Sequence, residues 1–200
     1  MDWGFIRILL LYIGMDYRTV EWVMACITFV NFVVLVNGAP SGFFRASRGL
    51  RQGCPLSPLL FILIIDGLSR SIKMAKECGD IQGVRVSNSQ SLTHLLFVDD
   101  VLLFGMLLVT EWRRYQMILQ DFCEATRMEI NIKKSCFSSM EDEMDPDILS
   151  LFPIDHQRLE EGIRYLGFLI KPNRLLKGDW SWLIERVENG LGIGVIAVCP

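Results

Sequence analysis

The chain has 200 residues, half of them apolar and about a fifth charged, with a formal net charge of -3. This is a globular balance, and the length suffices to bury a substantial core as one ordinary domain or part of a larger one. The acidic sum argues against a stand-alone nucleic-acid binder, which needs a positive surface. The six cysteines form no CxxC pair and neither His94 nor His156 stands at ligand spacing from them, which argues against a zinc site.

Asp2 is placed to cap a helix over residues 3–13, closed by Gly14, and a second helix over 16–27 carries Val20, Val23, Met24 and Ile27 on one side. Residues 20–36 are the most apolar stretch, but Glu21 and Asn31 interrupt them, so they read as buried core and no membrane span is expected. Residues 29–36 are rich in Val and Phe, a turn signal occupies 37–42, and 43–46 return as a partner strand. A loop over 47–57 ends in Ser57-Pro58, where serine can cap a helix over 58–75 and proline fits its first position. Residues 59–65 of that helix are apolar on every side and are expected to be buried all round.

Residues 83–87 read as a short strand, and 92–104 as two apolar arms around Val98-Asp99-Asp100. A helix over 111–127 then places Trp112, Tyr115, Leu119 and Phe122 on one face. Met106 to Val109, just before it, is apolar where a polar loop is expected. Strands are expected at 136–139 and 165–170 and a last helix at 179–189, while the acidic run 141–161 reads as a solvated, flexible connection. Residues 190–200 carry no helix stop or charge and read as a cut or altered terminus. This order predicts an α+β fold, with helices packed on one face of an antiparallel sheet.

Two features point to chemistry. Adjacent carboxylates between apolar arms suffer desolvation and mutual repulsion unless a cation relieves both, which makes Asp99 and Asp100 candidate metal ligands. Two Mg²⁺ ions so held can activate a 3′-hydroxyl and stabilise the transition state of phosphoryl transfer. Adjacent side chains on a straight strand point to opposite faces, so the pair needs a turn to approach one metal centre. Taken alone, the pair also fits a solvated hairpin turn. The second feature is the loop from Arg48 to Pro58, in which Gly49 and Gly53 free the backbone for close approach and Arg48 and Arg51 can meet phosphates. No acidic residue falls between Glu21 and Asp66, so this stretch is locally basic. By itself the loop equally reads as a polar cap on a buried helix.

The two features occur in order: Arg51-Gln52-Gly53-Cys54-Pro55-Leu56-Ser57-Pro58-Leu59-Leu60-Phe61, then Phe97-Val98-Asp99-Asp100. Asn131-Ile132-Lys133-Lys134-Ser135 and Tyr165-Leu166-Gly167 follow. Across roughly residues 1–190 this pattern closely resembles the reverse transcriptases of non-LTR (LINE-type) retrotransposons, especially plant copies. The resemblance implies a polymerase palm over 1–171, with 172–200 as the start of a thumb or an altered C-terminus, and with the fingers absent. It implies that Asp99 and Asp100 are metal-binding and catalytic, with Mg²⁺ as the cofactor and Mn²⁺ able to replace it. Arg51, Gln52, Gly53 and Phe97 would bind the nucleotide, Lys134 would be the general acid for pyrophosphate, and Tyr165, Leu166 and Gly167 would form the primer grip. An RNA template, a DNA primer and deoxynucleoside triphosphates are the implied partners, together with missing fingers or the rest of a polyprotein.

One departure bears on activity. The family's further catalytic aspartate lies on a strand just upstream of the helix that begins here at Asp2-Trp3, and Asp2 matches the start of that helix instead. The expectation is an RNA-directed DNA polymerase domain fragment that is inactive as this chain. The alternative is a non-catalytic remnant, at most a template-primer binding module. Without a signal peptide, the cysteines read as reduced thiols of a nuclear or cytoplasmic setting.

Overall fold

The computed structural model describes residues 1–141, 143–166 and 168–181. They divide into two compact units, the first formed by Met1–Asn131 and Asp145–Pro153, the second by the remaining described residues.

The first unit begins with α1 (Trp3–Tyr12) and α2 (Tyr17–Thr28). Each is started by an aspartate: Asp2 accepts from the Phe5 amide at 3.0 Å, and Asp16 from Arg18 and Thr19 at 3.0 and 3.2 Å. These bonds satisfy amides that have no partner inside the helix. Ile6 and Leu10 of α1, Val20, Met24 and Ile27 of α2, and Leu60 and Ile64 of the next helix form one buried cluster. The expected hairpin follows as two short ladders, β1 (Asn31–Phe32) with β4 (Phe44–Arg45) and β2 (Leu35–Val36) with β3 (Ala39–Pro40). Asn37 and Gly38 close it with φ of 50° and 83°, both left-handed as a tight hairpin turn requires.

Helix α3 (Leu56–Glu77) corrects two expectations. It starts before Ser57, whose hydroxyl donates to the Arg51 carbonyl at 2.7 Å instead of capping, and Pro58 sits within the first turn, where no intrahelical donor is lost. Nor are residues 59–65 buried all round. Leu60, Ile64, Leu68 and Ile72 repeat every fourth residue along the buried stripe, while Leu59 and Ile62 lie off it and are 61% and 62% exposed. At about 100° per residue only one side of α3 meets the core of this unit.

Next come β5 (Val84–Arg85) paired with β6 (Ser91–Leu92), then β7 (His94–Phe97) paired with β8 (Asp100–Leu103). Helix α4 (Val109–Thr126) buries Trp112, Tyr115 and Ile118, and Arg127 ends it with a φ of 55°. The acidic run is not simply a flexible connection. Asp145 caps α5 (Pro146–Leu151), Ile148 is fully buried, and Gln116 of α4 donates to the Leu151 carbonyl at 2.6 Å. A proline at the first helical position and one buried isoleucine outweigh the surrounding charge.

In the second unit, β9 (Cys136–Ser139) pairs in parallel with β10 (Asp155–Arg158), a further ordered part of the acidic run. Single-turn 3-10 helices occupy Ile132–Lys134, Leu159–Glu161 and Lys177–Trp180. The strand expected at 165–170 is instead an antiparallel hairpin, β11 (Ile163–Tyr165) with β12 (Phe168–Ile170), folded at Leu166 with a φ of 51°. Of the expected helix at 179–189, residues 182–189 lie outside the described residues, as do 190–200; the chain at Asp179 is 3-10 helix. Asp179 pairs with Lys171, and that hydrogen bond, helped by the Leu176 amide, holds its carboxyl below the ordinary value.

Helices and strands thus share the chain as an α+β fold requires. Among the described residues the strands form six two-stranded ladders, not one continuous sheet, and one of the six is parallel. No described helix is long and apolar enough to cross a membrane.

Candidate functional site

The acidic pair sits at the tip of the β7–β8 hairpin. The ladder pairs His94 with Leu103, Leu95 with Leu102, Leu96 with Val101 and Phe97 with Asp100, leaving Val98 and Asp99 as a two-residue turn. Leu95 and Phe97 are exposed while His94 and Leu96 are half-buried, the alternation of a hairpin with one covered face. Asp100, directly across from Phe97, shares the exposed face; Asp99 leaves the strand direction altogether, and both carboxylates are solvent-exposed. Val98 has a φ of 52°, a left-handed conformation that strains a β-branched residue.

The base of the hairpin is tied down by buried side chains. The Phe104 amide donates to the Thr93 carbonyl at 2.8 Å, and the Tyr115 hydroxyl lies 2.9 Å from the Thr93 carbonyl and 2.8 Å from that of Phe104. Burial, with the Glu111 charge adding, pushes the Tyr115 phenol far up and keeps it a donor. His94 meets the Ser69 hydroxyl of α3 at 2.8 Å and that of Thr93 at 3.0 Å. Burial lowers its pKa, and Lys73 and Lys76 lower it further.

Glu111, 2% exposed, is a functional candidate that the sequence reading missed. Its Oε1 accepts from the Gln82 and Gly83 amides at 2.9 and 2.8 Å, and its Oε2 accepts from Met106 at 2.9 Å. The carboxylate therefore joins the segment before β5 to the segment after β8. A Cβ on Gly83, whose φ is +70°, would lie 2.3 Å from the Leu92 carbonyl oxygen, so only glycine fits there. The available signal was a lone acid two residues after the out-of-place apolar run at Met106 to Val109.

The glycine-rich loop is anchored by backbone contacts at its start. The Gly49 amide donates to the Met1 carbonyl at 2.9 Å, and the Trp3 indole donates to the Gly49 carbonyl at 2.7 Å. Arg51, Gln52 and Gly53 are exposed, and Gly53 is left-handed with a φ of 79°. The Leu56 backbone hydrogen bond lowers the Cys54 thiol pKa, with Ser57 and Arg51 adding to it. Both candidate elements are attached to α3, the loop at its start and the hairpin through Ser69 and His94. No hydrogen bond or ion pair links residues 51–53 to Asp99 or Asp100 among the described residues.

The other candidates belong to the second unit. Lys134 is exposed at the end of its 3-10 turn, Tyr165 is half-buried at the end of β11, and Leu166 forms the following turn. Gly167 lies outside the described residues. Among the described residues no group of three or more His, Cys, Asp or Glu side chains forms a metal cluster. Asp99 and Asp100 are nonetheless hard oxygen donors open to solvent, which suits Mg²⁺ held by one or two carboxylates with water and substrate phosphates completing its shell.

The family model of the reverse transcriptase (RNA-dependent DNA polymerase) matches residues 11–170. Over 67 residues the chain is 55% identical to an uncharacterized mitochondrial protein of Arabidopsis thaliana, a match that spans 33% of this chain and 55% of that protein. Over 106 residues it is 33% identical to the retrovirus-related Pol polyprotein from type-2 retrotransposable element R2DM of Drosophila melanogaster, spanning 51% of this chain and 9% of the polyprotein. The matched region contains the loop, the acidic turn and the expected primer grip, and the chain belongs to the reverse transcriptase (RNA-dependent DNA polymerase) family, with its likeness to a retrotransposon bearing out the non-LTR resemblance.

Proposed function

We propose that this chain carries the acidic turn and nucleotide loop of an RNA-directed DNA polymerase palm, with residues 1–171 as the palm portion and 172–200 as the start of a thumb or an altered end. The observation that carries this reading is the β7–β8 hairpin, which brings two adjacent carboxylates to one exposed tip beside Phe97. Asp99 and Asp100 hold Mg²⁺, with Mn²⁺ able to replace it. When bound, the divalent ions favour deprotonation of a primer 3′-hydroxyl and offset charge on the departing pyrophosphate. Arg51 meets the triphosphate, Gln52 the base or sugar, and Gly53 allows the backbone to approach closely. Phe97 lies under the primer end, Lys134 gives a proton to pyrophosphate, and Tyr165, Leu166 and Gly167 grip the primer. RNA template, DNA primer and deoxynucleoside triphosphates are the partners of this reaction, and the fingers or the rest of a polyprotein complete it.

A second reading has its own support. No third acid joins Asp99 and Asp100 among the described residues, and two carboxylates hold a divalent ion weakly without phosphate oxygens. A template-primer binding module without turnover fits that donor set. Primer extension on an RNA template with Mg²⁺ or Mn²⁺, comparing the chain with Asp99→Asn, separates the two. Extension that the variant abolishes supports the polymerase. Equal background incorporation in both refutes turnover by this chain and leaves the binding reading, which a labelled primer-template shift assay then tests.

A further inference from the structure

We infer that Glu111 and Tyr115 are positioning residues for the acidic turn: from α4 they lock the register of the β7–β8 ladder, so that Asp99 and Asp100 stay together at the exposed tip. The inference rests on the reading of that tip as the metal-binding turn. It is carried by where the restraints lie. A four-residue ladder with a strained two-residue turn has little in its own backbone to resist slippage, and a one-residue slip transfers every side chain to the opposite face. Here that slip would carry Asp100 off the exposed face it shares with Phe97 and into the half-buried row of His94 and Leu96.

Tyr115 opposes such a slip directly. Its single hydroxyl hydrogen is shared between the Thr93 and Phe104 carbonyls, the residues just outside the last ladder pair, His94 and Leu103. Glu111, one helical turn earlier on α4, fixes the chain on both sides of this point through Gln82 and Gly83 before β5 and Met106 after β8. Three amides converge on one buried carboxylate, and a change of register would strip at least one of them of its partner. The half-buried His94 to Ser69 contact ties the hairpin to α3 but restrains only β7. Tyr115 restrains both of its strands, and Glu111 holds the chain after β8 to the segment before β5.

The test uses the full chain and two independent readouts. Tyr115→Phe keeps the ring and removes the hydroxyl; Glu111→Gln keeps the shape but turns an amide donor towards a backbone donor. Gln116→Ala, which breaks only the α4 to α5 bond, is the control for general loosening. Amide hydrogen exchange across residues 94–104 should quicken roughly tenfold in Tyr115→Phe and more in Glu111→Gln, about the loss of one buried hydrogen bond, and stay unchanged in the control. Cross-strand contacts between Leu95 and Leu102, read by NMR, should weaken in parallel. Exchange and contacts like those of the unaltered chain in both variants would overturn the inference, whatever the metal result.

Mn²⁺ titration, followed by line broadening at residues 97–101, is the second readout. Severalfold weaker binding in both variants, with Asp99→Asn weaker still, supports the positioning role. If Asp99→Asn binds Mn²⁺ as tightly as the unaltered chain, the metal reading of the turn fails and the positioning role fails with it. If Asp99→Asn weakens binding and the two α4 variants do not, only the positioning role fails.

Discussion

Val98 offers a direct measure of how the acidic turn is held. Its side chain is 62% exposed and its φ is 52°, so Val98→Gly alters three terms at once. Releasing a branched residue from the left-handed region gains about 1–2 kcal/mol. Glycine's greater freedom in the unfolded chain costs about 0.5–1 kcal/mol, and losing the contacts of a side chain about one-third buried costs roughly another 0.5–1 kcal/mol. These nearly cancel, and the expected change in urea-unfolding free energy is within about 1 kcal/mol of zero by the same terms. Val101→Gly in β8, on the same hairpin but without a left-handed φ and with its side chain more buried, lacks the relief and should lose about 1.5–3.5 kcal/mol from the two remaining terms. If Val98→Gly proves as destabilising as Val101→Gly, the left-handed turn at Val98 is refuted, and with it the placement of Asp99 off the strand.

Three further outcomes follow from the first unit. Ile64→Ala, at a position 1% exposed in the cluster of α1, α2 and α3, should lose about 2–5 kcal/mol in urea unfolding. Asp16→Ala removes both capping bonds of α2 and should cost about 1 kcal/mol, which Asp16→Ser should largely restore. His94 has a folded-state pKa below its ordinary 6.5, so the unfolded chain takes up the proton first on acidification. Its contribution is present above that value and is lost as the pH falls towards the depressed folded pKa. Unfolding titrations on either side of about pH 6.5 should show this acid-side loss, and His94→Gln should reduce it.

Much of the local structure was legible because its causes are local. An aspartate next to a helical run caps it through amides two or three residues away, so Asp2 could be named without knowing what its helix packs against, and Asp16, read as the first residue of the second helix, proved to be its cap. The Asn37-Gly38 turn and the acidic turn between apolar arms were legible for the same reason: backbone preference and alternation act over a few residues. Ser57-Pro58 shows how local signals mislead, since the serine found its acceptor at Arg51 and the helix began without it.

The sequence by itself determined helices α1 to α4, the two hairpins that a turn signal closes, the order of the motifs and, through them, the family. The tertiary structure alone decided which faces meet. It set Leu59 and Ile62 outside a stripe that composition had made all buried, ordered α5 and β10 within an acidic run, and left the strands as separate ladders. It also brought the Glu111 carboxylate to amides 28 and 29 residues away in sequence and the Tyr115 hydroxyl between two carbonyls. Such partners leave no periodic trace, because a buried polar group is satisfied by whatever backbone the fold brings to it. Asp99 and Asp100 could be read from the chain, whereas the buried groups that hold their hairpin could be read only from its packing.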